Sequence, residues 1–119
     1  MLLTKKDILG AEDLKTEDVE VPEWGGTVRV SMMSGTARDA YEDSIIEFDS
    51  NGKVTRNLSN ARAKLCAASM VDDKGNLLFS EGEINKLGKK SAEALNRVFT
   101  AAQKLNALSD EEVEEQAKN

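Results

Sequence analysis

Residues 19–35 read VEVPEWGGTVRVSMMSG, and this stretch constrains the fold more than any other. Val19 and Val21 alternate with Glu20, and Val28, Val30 and Met32 alternate with Arg29 and Ser31. Period-two alternation on both sides of a glycine-containing turn predicts a two-stranded β-ribbon. Pro22, the chain's one proline, suits the end of an edge strand, where its missing donor does no harm. Such a hairpin is marginal alone in water, so its valine face must lie on something.

The rest of the chain supplies candidates, because it is helical in period. From Thr36, a plausible cap, Ala37, Tyr41, Ile45 and Phe48 recur at helical spacing, and DSNGK (49–53) ends that element with turn chemistry. A second helix is expected over 59–71. Its Ala61, Leu65, Ala68 and Met70 leave it apolar over most of its circumference, so it should be the most buried. After the turn DDKGN (72–76), Ser80 and Glu83 form a capping box, with Phe79 and Ile84 as its hydrophobic staple. The helix they start carries Ile84, Leu87, Leu95, Val98, Phe99, Ala102 and Leu105 in one angular sector, with Gly88 as a point of kinking or division. Ser109 and Glu112 repeat the capping box, with Leu108 and Val113 as the staple, ahead of a short acidic helix or a solvated tail.

The expected fold is therefore α+β and mainly α: a compact helical domain of three to four helices with an N-terminal two-stranded ribbon. One domain fills 1–119. Residues 1–15 form a loosely attached arm, 16–35 the hairpin, 36–108 the helical body and 109–119 a short acidic helix or tail. With 39% apolar and 4% aromatic residues, the core must be built from Leu, Ile, Val, Ala and Met. Such a core is thin, and its stability gains from partners.

Charge and composition exclude several functions. A net charge of −6 argues against non-specific nucleic-acid binding, which needs clustered Lys and Arg. The charge runs acidic, basic, acidic: −5 over 1–58, +3 over 59–108 and −4 over 109–119. That order suits docking against further copies of the chain or steering a charged partner. Histidine is absent, which removes the commonest general base and metal ligand together. Cys66, alone and in the apolar stretch LCAASM, reads as a buried reduced thiol. DDKGN and DSNGK resemble the start of a calcium loop, but Lys74 and Lys53 stand where oxygen ligands are required. No phosphate loop, nucleophile elbow or zinc-protease motif occurs, and the paired carboxylates sit in polar company. The expectation is a protein with no catalytic residues, no metal and no cofactor. With no apolar run long enough for a signal peptide or a membrane span, it suits a reducing cytoplasm and no membrane.

The residues left for binding are few. On an ideal continuous helix Lys86, Lys90, Arg97 and Lys104 fall on one stripe away from the apolar sector, with Glu93 placed to pair with Arg97. That stripe is either a solvated face or a surface for acidic residues 110–115 of a neighbouring copy. Trp24 beside the turn either folds back onto the sheet or anchors a partner. Met32 and Met33 are core filler or an adaptable binding surface.

The chain also resembles a family. The segments LCAASMVDDKGNLLF, KSAEALNRVF and KLNALSDEEVEE, with VPEWGGTVRVSMMSGTARDAYE before them, look like tail assembly chaperones of long-tailed, lambda-like bacteriophages. The likeness spans residues 14–119. It implies a non-enzymatic chaperone in the host cytoplasm, absent from the mature virion, which keeps the tape measure protein soluble before the tail tube polymerises. It also implies self-association into multiple copies and a longer frameshifted form that recruits tail tube protein. Apolar helical grooves would hold the partner's helices. Ala117-Lys118-Asn119 can be encoded as GCA AAA AAC, which contains a slippery heptamer, so Lys118 and Asn119 mark the expected slip. The alternatives are an adaptor or regulatory protein using the same grooves for another partner, or an enzyme of undetected type.

Overall fold

The computed structural model describes residues 1–56 and 60–107. The chain runs through α1 (Lys5–Gly10), β1 (Thr16–Val21), a 3-10 turn (Pro22–Trp24), β2 (Gly26–Ser31) and α2 (Gly35–Ser44). It continues through β3 (Ile46–Phe48), β4 (Val54–Arg56), α3 (Ala61–Ser69), β5 (Met70–Val71), a second 3-10 turn (Glu81–Glu83), α4 (Ile84–Leu87) and α5 (Ala92–Leu105). The fold is α+β, as the pattern predicts, with two small antiparallel sheets.

β1 and β2 pair in a register that sets Val19 opposite Val28 and Val21 opposite Gly26. Alternation then places Val19, Val21, Val28 and Val30 on one face, and Val21 and Val30 are fully buried. On the other face Asp18 lies opposite Arg29 and accepts its Nε–H at 2.8 Å. The ribbon is not left two-stranded: β5 adds to β2 through Val30–Met70 and Arg29–Val71, giving the order β1-β2-β5. α5 covers the valine face of β1 and β2, and α3 packs against α5 on its other flank. The core therefore sits where α5 meets the sheet and α3, around Val21, Val30, Leu65, Met70 and Val98.

Several boundaries differ from the sequence expectation. Ser34, not Thr36, caps α2, its Oγ accepting the Ala37 N–H at 3.1 Å. Tyr41 and Ile45 are buried as expected, but Phe48 lies on β3 and is 70% exposed. The reason is the turn after it. Asp49 Oδ1 accepts the N–H groups of Asn51 (2.8 Å) and Lys53 (2.9 Å), and Gly52 takes a φ of 77°. The chain is thereby folded back so that Phe48 pairs with Val54, making a second hairpin. DDKGN does the same. Asp72 Oδ1 accepts from Lys74 (2.8 Å) and Asn76 (3.0 Å), Gly75 has a φ of 86°, and Leu77 returns to bridge Val71.

α3 is the helix with its core face most completely buried: Leu65, Cys66 and Ser69 are inaccessible. It is shorter than the expected 59–71, because Met70 turns extended to enter the sheet. The predicted long helix is divided. Glu83 reaches back to the Ser80 N–H at 3.0 Å, as a capping box requires, but a 3-10 turn and the single turn of α4 follow, ending at Gly88. α5 starts afresh at Ser91, whose Oγ accepts the Ala94 N–H at 3.3 Å. At the far end Asn106 ties α5 to the β2–α2 junction: its Oδ1 accepts the Met33 N–H at 2.7 Å. The second capping box at Ser109–Glu112 and the slip position at Lys118–Asn119 lie outside the described residues.

Leu65 is inaccessible and Phe48 largely solvated, so their truncations should separate cleanly. Leu65→Ala should lower unfolding free energy by about 3 kcal/mol. Phe48→Ser should change it by less than about 0.5 kcal/mol. Urea unfolding followed by circular dichroism measures both, and equal losses would mean the second hairpin belongs to the core.

Candidate partner-binding surfaces

The tip of the ribbon is built to hold one side chain. Pro22 begins the 3-10 turn with its fixed φ, and the turn closes through the Gly25 N–H to the Pro22 carbonyl at 3.1 Å. This lays Trp24 half-buried against the edge of the core, so the folding-back reading describes its resting position. Glu23, beside it, is gripped by Arg97 of α5. Nε donates to Oε1 at 2.9 Å and to Oε2 at 3.2 Å, and Nη2 donates to Oε2 at 3.2 Å. The fork geometry suits an arginine and would be lost with a lysine.

The division of the long helix also scatters the predicted basic stripe. Lys86 is on α4, Lys90 in the α4–α5 connection, and only Arg97 and Lys104 share α5. Arg97 turns to Glu23 rather than to Glu93, because the tip of the ribbon reaches α5. Met33 is buried in the core, whereas Met32 is half-buried and donates its N–H to the Lys15 carbonyl at 2.9 Å, extending the pairing of the ribbon. Of the residues singled out in the sequence, the structure brings together Trp24 and Arg97 at the tip of the ribbon and leaves Lys86, Lys90 and Lys104 exposed elsewhere.

A further apolar feature is a groove that sequence reasoning did not locate. Its floor is alanine, Ala37 and Ala40 from α2 with Ala67 and Ala68 from α3. Tyr41, Leu77, Phe79 and Ile84 also line it, around a half-open volume of about 150 Å³. Lys64 and Glu81 stand at its margin. Lys64 donates to the Ser44 carbonyl at 3.1 Å and thereby clamps the C-terminal end of α2, where a cation is favoured. The signal was present in α3, which is apolar around most of its girth and so needs cover on more than one side. The groove is assembled from three separate segments, α2, α3 and residues 77–84, which no local pattern reveals.

Large apolar side chains outside the groove also stand in water. Met1, Leu2, Leu3, Ile8, Leu9 and Leu14 are exposed along the arm, as are Phe48 and Val54 on the second hairpin. Cys66 offers no chemistry. It is buried, its thiol is pushed up to about 12 by desolvation, and its Sγ lies 3.5 Å from the Leu95 carbonyl oxygen. Among the described residues no group of three or more Cys, Asp or Glu is placed to hold a metal, and no helix is long and apolar enough to cross a membrane.

The Glu23 carboxyl is held below its ordinary value of 4.5, first by its hydrogen bonds to Arg97. A depressed carboxylate stabilises the fold above its unfolded-state value, and that contribution is lost as pH falls through the lower folded value. Emission from Trp24, the chain's one tryptophan, should therefore hold down to pH 4.5 and change only below it. In Arg97→Met, which removes the partner, this acid-linked change should be absent or much smaller. A wild-type midpoint at or above 4.5 would break the link between this ion pair and the tryptophan.

Comparison with known proteins now bears on this geometry. No curated protein matches the chain significantly. Among solved structures, the tail assembly chaperone of bacteriophage HK97 superposes with a TM-score of 0.58, covering 84% of this chain and 94% of that one at 24% identity. At that identity the likeness establishes the fold. Residues 8–119 match the family model described as phage tail assembly chaperone. The match takes in every element from the end of the arm onward, and the chain belongs to the phage tail assembly chaperone family.

Proposed function

We propose that this protein is a non-enzymatic chaperone that holds the tape measure protein soluble in the host cytoplasm until tail tube assembles around it, acting as several associated copies. Family membership supplies the tail-assembly role. The observation that carries the finer reading is the apolar surface that the described residues leave exposed: the arm, the groove and the second hairpin. Uncovered apolar surface on a small acidic protein marks sites for other proteins. A chaperone that coats a long client needs two kinds of contact, one to the client and one to the next copy. The second hairpin suits the client, since Phe48 and Val54 stand exposed on it. A longer form produced by a slip at Lys118–Asn119 would recruit tail tube protein, and the chaperone would leave before the virion matures. The adaptor reading has no observation of its own here beyond the same groove.

Co-expression with the tape measure protein encoded nearby tests the proposal. The expected result is soluble client in a complex carrying several copies of this chain, and reduced recovery with Phe48→Ser/Val54→Ser although that variant stays folded. A client that remains insoluble with both this chain and the longer form would overturn the reading.

A further inference from the structure

The two edges of the larger sheet end differently. The β5 edge is closed by the chain itself: after the DDKGN turn Leu77 bridges Val71, and the Leu78 N–H donates to the Met70 carbonyl at 3.1 Å. At the β1 edge the backbone faces outward. The Met32 N–H donates to the Lys15 carbonyl at 2.9 Å, one step beyond the Thr16–Ser31 pair of the ribbon. That contact fixes the phase of the ladder, because bonded and non-bonded pairs alternate along an antiparallel ribbon. Glu17, Val19 and Val21 therefore turn their backbone groups to β2, while Thr16, Asp18 and Glu20 turn theirs away from it. Those three residues are exposed, and their backbone groups have no hydrogen-bond partner among the described residues. A strand edge of this kind is a template for a further strand.

We propose that the outward edge of β1 takes an extended, basic segment of the client as a fourth strand of this three-stranded sheet. The inference rests on the client-holding reading above and names a contact for it. Charge selects this occupant. Residues 12–20 read EDLKTEDVE, five acids against one lysine, and Glu17, Asp18 and Glu20 are exposed on the strand itself. Asp18 is paired with Arg29 across the ribbon, which leaves Glu17 and Glu20 to receive cations. A second copy is a poor occupant, since β1 laid against β1 would set these acids against one another. The alternation of side chains sets the pattern of the incoming segment as well. Glu17 shares a face with the half-buried Val19, and Glu20 shares the opposite face with Asp18. An antiparallel segment then fits with Lys or Arg opposite Glu20, a β-branched residue opposite Val19 and Lys or Arg opposite Glu17. Backbone pairing supplies the attachment, and the charges choose the segment.

A synthetic peptide repeating Lys-Val-Thr carries this pattern and probes the edge on the full chain. Hydrogen exchange read by NMR should show the Thr16, Asp18 and Glu20 amides gaining about tenfold protection or more when the peptide is added. The same repeat with Glu in place of Lys should protect none of them. Glu17→Lys/Glu20→Lys, at two exposed positions, should keep the circular dichroism spectrum, reverse the preference between the two peptides and recover less client on co-expression. Lysine-peptide binding that leaves the three amides unprotected is surface attraction alone and overturns the proposal, as does the absence of binding. A charge-reversed variant that recovers the client as well as the wild type overturns it too, and leaves client holding to another surface. If the wild type itself does not hold the client, the client reading falls and this occupant falls with it, whatever the peptide does.

Discussion

Everything in this protein hangs on the close approach of α5 to its neighbours. With so few aromatic residues, the core cannot be filled by bulk. It is filled instead by letting backbones come near one another over small side chains. Ala94, Val98 and Ala102 of α5 are fully enclosed, and Ala63 and Ala67 of α3 are nearly so. Because α5 touches α3 on one side and both strands of the ribbon on the other, it makes a single core from two elements that would otherwise each be unstable. The polar contacts around it serve the same end. Arg97 reaches the ribbon tip through Glu23, and Asn106 fixes the far end of the helix through the Met33 N–H. The valine face of a marginal hairpin thus finds the cover it needs, and Trp24 closes the edge of that contact.

Features carried by a few adjacent residues were legible in the sequence. The ribbon could be read because a period of two on both sides of a turn has few other meanings, and α5 because its apolar sector is continuous. Phe48 misled because the spacing of Tyr41, Ile45 and Phe48 satisfies a helix, whereas the outcome was decided by Asp49 and Gly52 just beyond. That turn pairs the short strand Ile46–Phe48 with a partner of only three residues, too brief to announce itself by alternation. The break in the long helix was half legible. Gly88 marked it, but Ser91 as a fresh cap was hidden among the lysines before it. Where the helix was assumed continuous, the basic residues formed a stripe. Where it is divided, they do not.

The candidate surfaces were less legible than the fold, for a physical reason. A groove is a property of what remains uncovered after packing, and it is assembled here from α2, α3 and the segment after DDKGN. None of its alanines is unusual in its own helix. The arm shows the converse. Its leucines and isoleucine were plain in the sequence, but whether they join the core depends on whether another surface reaches them, and among the described residues they stay exposed.

These two failures of local reading have one source. The exposed apolar segment and the apolar recess are both defined by what the described residues leave uncovered, and no local pattern reports that. A chaperone for a long client faces an added difficulty, since any surface sticky enough to hold the client is sticky enough to hold another chaperone wrongly. On the reading proposed above, contacts to the client and to other copies have to be separated by shape and charge rather than by strength of attraction. A thin core of this kind gains stability from any partner that binds only the folded state, because such binding shifts the folding equilibrium by mass action.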